Sequence, residues 1–365
     1  MKLLYVVNQI NGTTGLERIL AIKANYFIKE FNYDIVMVTL NEVEETPFFD
    51  LNESIKIIRL PNKSNPLSHI TQFGKINKIL KQESPDTVII CIDNIFGLYL
   101  PAFLKKKYTY VYERHNSKRV NLGQGATSFK AKVLNGIKKK LLDRGGKHYD
   151  TVVLLSDDHL AEWSHLKNLK VINNPLIFYP ETYAKLENKR VLAVGRHTHQ
   201  KGFDMLMKSW AKVVEKHKDW KLDVYGKKDH DSSYMDLAKA YGITDYVTFH
   251  DPVPNIMEVY LESSIYALSS RYEGFPLVLI ETMACGVPAV AFNCPCGVKE
   301  LITHGEDGLH VPVDDTDEFA KSLIYLIENQ EIRTKMGAKA RKNILRLSPE
   351  NIFPQWKNLF EQLSA

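Results

Sequence analysis

Ser270-Arg271-Tyr272-Glu273-Gly274-Phe275-Pro276-Leu277-Val278-Leu279-Ile280-Glu281-Thr282-Met283-Ala284-Cys285-Gly286-Val287-Pro288 lies between two short apolar runs, 265–268 and 289–292. Both runs are strand-length, and the stretch between them holds a Gly/Pro-punctuated loop followed by an apolar helical segment. Pro276 suits the first helical turn, where its missing N–H is not needed, and Gly286 suits the position just past the helix end. Strand, loop, helix and strand in that order predict parallel pairing, so this region is one unit of a doubly wound α/β sheet. The loop brings backbone amides to a helix N-terminus, where phosphate is welcome. Two carboxylates, Glu273 in the loop and Glu281 in the helix, stand eight positions apart.

The same alternation extends in both directions. Upstream in the second half come a strand at 190–195, a helix at 204–217, strands at 221–225 and 246–249, and a helix at 256–262; downstream lie a short element at 308–312 and a helix at 316–328. The first half reads as strands at 2–9, 34–40, 55–60, 87–92, 109–113 and 151–156, with helices at 16–30 and 73–82. A chain of 365 residues exceeds the size at which one core usually keeps growing. Two Rossmann-like domains are therefore expected: 1–176, a polar linker at 177–189, and 190–348. The carboxyl ends of both sheets would face a cleft. The amphipathic segment 349–365, with Trp356 and Phe360, is expected to cross back onto the first domain.

An apolar fraction of 44% with 25% charged residues is ordinary for a globular chain. No apolar run approaches the roughly 18 residues of a membrane span. Met1 to Val7 enters a strand directly, without the small-residue cleavage site of a secretory signal, so a cytoplasmic location is expected. Four cysteines, with Cys91 inside a strand, do not form a disulfide framework, and Cys294-Pro295-Cys296 is too short for the usual C-x-x-C spacing. The net charge of +5 is mild and suggests no nucleic-acid partner, but 130–144 interleaves Lys and Arg with Val, Leu and Ile at helical spacing. Such a helix could rest on an anionic membrane; the commoner arrangement turns its apolar side to its own core.

Gly195-Arg196-His197-Thr198-His199-Gln200-Lys201-Gly202-Phe203-Asp204 follows a strand and precedes a helix. Arg196 and Lys201 set two fixed cations at the edge of the second sheet, opposite the backbone of Gly274, Phe275, Pro276 and Leu277, of which all but Pro276 carry an N–H. A diphosphate leaving group needs fixed cations and preorganised N–H donors. Taken alone, the loop fits a basic helix cap equally well. His197 and His199 alternate without a third ligand, and Asp229-His230-Asp231 and Asp315-Thr316-Asp317 match Asp-x-Asp as readily by chance.

In their order, Gly195-Arg196 with Lys201-Gly202, the stretch from Ser270 to Glu281, Ala284-Cys285-Gly286-Val287-Pro288, Cys294-Pro295 and Gly305-Glu306-Asp307-Gly308 resemble the retaining glycosyltransferases of family 4. The resemblance is dense over 190–320. It implies a GT-B fold and transfer of a hexosyl or N-acetylhexosaminyl group from a nucleotide diphosphate sugar, with retention at the anomeric carbon. By that likeness Glu273 holds donor-sugar hydroxyls, Glu281 binds the ribose, and Arg196 and Lys201 bind the diphosphate. Gly12 to Arg18 resembles the glycine-rich loop that faces donor and acceptor, with Gly12 and Gly15 approaching substrate; here Thr14-Gly15-Leu16-Glu17-Arg18 replaces the usual Gly-Gly before Glu-Arg. Glu113-Arg114-His115-Asn116-Ser117 resembles the histidine-bearing loop near the reacting sugar, so His115 would bond a sugar hydroxyl or take the acceptor proton. Gly226 and Val253 would border the base, uracil by default, with guanine equally compatible with the sequence. A diphosphate neutralised by Arg196 and Lys201 requires no metal, and no cofactor is implied beyond the nucleotide sugar. Cys294-Pro295-Cys296-Gly297-Val298-Lys299-Glu300 resembles enzymes that build surface polysaccharides or lipid-linked oligosaccharides, which implies a glycan or lipid-linked acceptor. Two other readings use the same residues: a glycosidase with Glu273 and Glu281 as acid and nucleophile, or a nucleotide-sugar or glycan-binding protein without turnover.

Overall fold

The computed structural model describes residues 1–41, 46–60, 66–121, 129–227 and 234–364, with the backbone alone for 66–70 and 129. They form two compact units, Met1–Pro175 with Pro349–Ala365, and Leu176–Ser348.

In the first unit, β1 (Lys2–Val7), β2 (Asp34–Thr39), β3 (Lys56–Arg59), β4 (Thr87–Cys91), β5 (Thr109–Glu113), β6 (Thr151–Leu154) and β7 (Leu169–Val171) make one sheet ordered β3-β2-β1-β4-β5-β6-β7. Every pairing is parallel. The connections other than that from β2 to β3 carry helices: α1 (Gly15–Phe31), α2 (Pro66–Glu83), α3 (Ile95–Phe103), α4 (Phe129–Gly145) and α5 (Asp157–Trp163). β1 and β4 read as continuous apolar runs because helices cover both faces of a parallel sheet. Leu4, Val6, Val88 and Ile90 are fully buried accordingly.

The second unit repeats the plan with β8 (Arg190–Val194), β9 (Lys221–Tyr225), β10 (Val247–His250), β11 (Ile265–Leu268), β12 (Ala289–Phe292) and β13 (Gly308–Val311). Their order is β10-β9-β8-β11-β12-β13, again all parallel. Its helices are α6 (Phe203–Lys216), α7 (Tyr234–Ala240), α8 (Ile256–Leu261), α9 (Leu277–Ala284), α10 (Val298–Leu301), α11 (Thr316–Glu328) and α12 (Gln330–Asn343). The winding reverses between β1 and β4 in one sheet and between β8 and β11 in the other. Such reversals are where open α/β sheets hold ligands, at the carboxyl ends of the strands.

The 176–189 segment packs on the second unit: Ala184 N–H donates to the Cys285 carbonyl at 2.8 Å, and Arg333 Nη2 to the Leu186 carbonyl at 3.0 Å. The last helix, α13 (Pro349–Ser364), belongs to the first unit. Its Phe353 stands 4.4 Å from Tyr26 and 5.5 Å from Phe27 of α1, ring to ring.

Two sequence expectations, on Pro276 and on α4, are corrected, and one helix is present where none was expected. Pro276 is not inside the first turn of α9 but caps it, in extended conformation, with its carbonyl accepting the Leu279 N–H at 2.9 Å. The stretch Ile95–Phe103 is a helix despite Gly97 and Pro101. Pro101 has no N–H for the Gly97 carbonyl, and the Tyr149 hydroxyl donates to that oxygen instead. Gly97 is there because a Cβ would stand 2.2 Å from the Ile92 carbonyl oxygen. The second correction concerns α4, whose apolar side does not face its own core: Val133, Leu134, Ile137 and Leu141 are exposed, and the core receives Leu142 from this turn instead.

Candidate active site

The loops that follow β8 and β11 meet at the winding reversal of the second sheet. Gly202 sits in a left-handed conformation, where a Cβ would stand 2.1 Å from the Ser269 carbonyl oxygen. The Ser269 hydroxyl donates to the Lys201 carbonyl at 2.8 Å, and Arg271 N–H to the Gln200 carbonyl at 2.8 Å. Arg271 also grips Asp204 with two parallel bonds of 2.8 and 2.6 Å, which fasten the β11 loop to the first turn of α6.

Lys201 lies across this junction. Its Nζ donates to Glu273 Oε1 at 2.7 Å, and the Ser270 hydroxyl donates to the same oxygen at 2.6 Å. Gly195 leaves room for the lysine stem, since a Cβ there would stand 2.9 Å from its Cδ and Cε. Glu273 is buried, as are Gly274, Phe275 and Pro276, while Leu277 is half-buried and Arg196 is exposed. Beside them, a Cβ on Gly226 would stand 1.8 Å from the Gly195 carbonyl oxygen, so only glycine fits. Val253 is 38% exposed in the loop after β10.

Glu281 projects from α9 and is buried. The Tyr260 hydroxyl of α8 donates to its Oε2 at 2.6 Å, and burial together with the Glu281 charge pushes that phenol well above its ordinary range. Sequence reasoning missed Tyr260, Ser270 and the Arg271–Asp204 clamp. Of the histidine pair, His197 packs among Phe203, Tyr234 and Phe249, with ring centroids at 5.4 to 5.7 Å, and His199 is exposed. Asp315 is a helix cap that accepts the Glu318 N–H at 3.0 Å, and Asp317 pairs with Lys212. Asp229-His230-Asp231 lies outside the described residues.

In the first unit, the loop after β1 carries Gly12 and Gly15. A Cβ on Gly12 would stand 2.5 Å from both Gln9 Nε2 and Glu17 Oε1. The buried Glu17 carboxylate holds the loop, accepting Gln9 Nε2 at 3.1 Å and the Thr14 hydroxyl. Thr14-Gly15-Leu16-Glu17 has capping-box spacing, but Thr14 caps α1 without a side-chain bond to the helix backbone. Gly15 is the exposed first residue of α1 and keeps a negative φ, so no backbone strain demands glycine there.

His115 follows β5 and is buried, its Nε2 3.3 Å from Glu113 Oε1 without an aligned hydrogen bond. Glu113 Oε2 accepts Lys23 Nζ of α1 and the Cys91 thiol, the latter at 3.3 Å. The Trp356 ring of α13 covers the Lys23 ammonium at 4.2 Å. The loop itself is built on Asp93, which accepts the His115 N–H at 3.2 Å and Asn116 Nδ2 at 2.7 Å, and on the buried Arg114, bonded to the Asn116 and Ser117 carbonyls. Cys91, Glu113 and His115 offer ligand atoms within 4.8 Å of one another. They suit a cation poorly, because Lys23 already neutralises the carboxylate and burial pushes the Cys91 thiol well up.

Burial alone would raise the Glu113 carboxyl, but Lys23 and His115 outweigh it and hold it at about 2. An unfolded glutamate titrates near ~4.3. The stability contributed by this carboxylate is therefore complete above that value and is lost as pH falls toward 2. Glu113→Gln should lower neutral-pH stability by roughly 3–5 kcal/mol, since it strands a buried ammonium, and should flatten the acid-side decline. Unfolding midpoints measured across this pH range check both; an unchanged acid slope would refute the assignment.

Residues 179–343 match the family model for glycosyl transferases group 1. An uncharacterized glycosyltransferase of Haemophilus influenzae is 30% identical over 369 residues, covering 98% of this chain and 99% of its own. The amylovoran biosynthesis glycosyltransferase AmsD of Erwinia amylovora is 30% identical over 374 residues, with 98% and 99% covered. Among solved structures, a sucrose-phosphate synthase from Thermosynechococcus elongatus aligns with a TM-score of 0.81 at 18% identity, covering 100% of this chain and 99% of that one. That likeness is one of fold, the GT-B arrangement of two Rossmann-like sheets.

Proposed function

The chain belongs to the group 1 glycosyltransferases, and from that premise we propose that it moves a hexosyl or N-acetylhexosaminyl group from a nucleotide diphosphate, UDP by default, to a glycan or lipid-linked acceptor, with retention at the anomeric carbon. The observation that carries the reading is the Lys201–Glu273 pair at the β8/β11 reversal, with Glu281 fixed on the helix that follows. Lys201 and Arg196 neutralise the diphosphate as charge grows on the leaving group, helped by the amide groups at the start of α9. Both bonds to Glu273 among the described residues enter Oε1, so Oε2 is the acceptor for a sugar hydroxyl. Glu281 accepts from the ribose and is steadied by Tyr260. Gly226 and the Val253 backbone border the base. In the first unit, Gly12 and Gly15 line the approach of substrate, and His115 bonds the reacting sugar or takes the acceptor proton.

With two cations assigned to the diphosphate, the reaction runs without a metal. The name of the Erwinia relative, an amylovoran biosynthesis glycosyltransferase, supports the proposed role in glycan biosynthesis, which we place in surface polysaccharide assembly. No helix among the described residues is long and apolar enough to cross a membrane; the proposed setting is the cytoplasm, at the inner face of the plasma membrane, where a lipid-linked acceptor is reached.

A thermal-shift series with UDP, GDP and their sugars tests the donor assignment. Ligand at about 100 times its dissociation constant stabilises the native state by about 2.7 kcal/mol, which is several degrees in midpoint. UDP compounds should raise the midpoint most. No shift with any nucleotide would sink the reading; a shift with no transfer to any acceptor would favour a binding protein.

A further inference from the structure

We infer that α4 is a docking face for an anionic membrane surface. The inference builds on the proposed lipid-linked acceptor but stands on the side chains of this helix. Val133, Leu134, Ile137 and Leu141 are 46%, 53%, 52% and 37% exposed. Their spacing of three and four residues sets them in one stripe, since a helix advances 100° per residue. Lys130, Lys132, Lys139, Lys140 and Arg144 are exposed on the same helix and Lys138 is half-exposed. Its one acid, Asp143, is taken by Lys118 from outside the helix at 2.6 Å.

The opposite side anchors the helix to the fold. Leu142 is fully buried in the core of the first unit, and the Tyr99 hydroxyl of α3 donates to the Leu141 carbonyl at 3.0 Å. The exposed stripe is therefore held outward by a fixed backbone.

Charge selects the occupant. A second copy would bring two lysine-rich helices face to face, which their repulsion opposes. A nucleic acid would use the lysines but leave four apolar side chains in water. An anionic bilayer takes both at once: the stripe enters the headgroup boundary while lysine stems lie along it with their ammonium ends among lipid phosphates.

The test is vesicle flotation of the full chain with no sugar substrate present. The wild-type chain should float with phosphatidylcholine vesicles containing about one-third phosphatidylglycerol, should not float with phosphatidylcholine alone, and should be released by salt. Leu134→Glu with Ile137→Glu should reduce flotation about tenfold or more while unfolding midpoint and transfer to a soluble acceptor stay unchanged. Equal flotation of that variant, equal binding to neutral vesicles, or a dimer by light scattering that the variant dissolves would each overturn the inference. A chain that floats yet transfers no sugar would refute the proposed function alone, and one that transfers sugar yet never floats would refute the membrane face alone.

Discussion

Lys201→Ala should reduce sugar transfer by about three orders of magnitude with the fold intact. Removing one preorganised donor from a site where charge develops costs about 100 to 1000-fold. Lys201 is placed for the upper end, because its loss acts twice. The diphosphate loses a cation, and Glu273 loses the partner whose Nζ stands 2.7 Å from Oε1. Among the described residues the carboxylate then keeps only the Ser270 hydroxyl at 2.6 Å, and it faces a leaving group that is growing more negative. The fold should survive, since the loops stay joined by the Arg271–Asp204 clamp, by the Arg271 N–H on the Gln200 carbonyl and by the Ser269 hydroxyl on the carbonyl of residue 201. Lys201→Arg should recover little, because a planar fork does not replace a point charge lying across Gly195. Initial rates at saturating donor, with circular dichroism as the control for folding, measure the effect. Activity within tenfold of wild type would remove Lys201 from the chemistry.

The alternation of apolar runs with helical segments is what made both sheets legible, and β5, β9, β11, β12 and α11 have the expected bounds. What escaped lacks that periodic signal for identifiable reasons. α3 contains Gly97 and Pro101, and Tyr149, far along the chain, donates to the carbonyl that Pro101 leaves without its helical partner. α12 buries Arg333, Met336, Gly337 and Ala340 rather than an apolar stripe, because Gly337 must come close to the Gly286 carbonyl, 2.2 Å from where a Cβ would be. β7 is three residues long, shorter than any window in which alternation shows.

The site divides along the same line. Loops rich in Gly and charge point to Lys201 and Glu273 because function and spacing are local to each loop. Asp204 with Arg271, Tyr260 with Glu281 and Lys23 with Glu113 join residues 21 to 90 positions apart. Only the strand order says which loop ends are neighbours, and no single loop encodes it. The exposed stripe of α4 failed for the reverse reason: periodicity identifies an apolar face but not whether the core is on that side.

Glu281→Ala should weaken binding of the donor nucleotide by about 100-fold or more, and the effect should appear in KM before kcat. A hydrogen bond to a charged acceptor contributes about 1.5–3 kcal/mol, so losing two ribose contacts exceeds the 2.8 kcal/mol of a 100-fold change. Tyr260 sharpens the expectation. Its hydroxyl donates to Oε2 at 2.6 Å, and with the carboxylate gone it is left buried without that acceptor, so the midpoint of unfolding should fall as well. Tyr260→Phe keeps the carboxylate but frees its orientation, and should cost about tenfold in affinity. The decisive comparison uses ribose against 2′-deoxyribose nucleoside diphosphates in calorimetric titrations. A carboxylate that grips the ribose makes the wild-type chain prefer the ribonucleotide, and Glu281→Ala should erase that preference rather than merely weaken both ligands. A preference that survives the substitution would take the ribose away from Glu281 and leave it a structural partner of Tyr260.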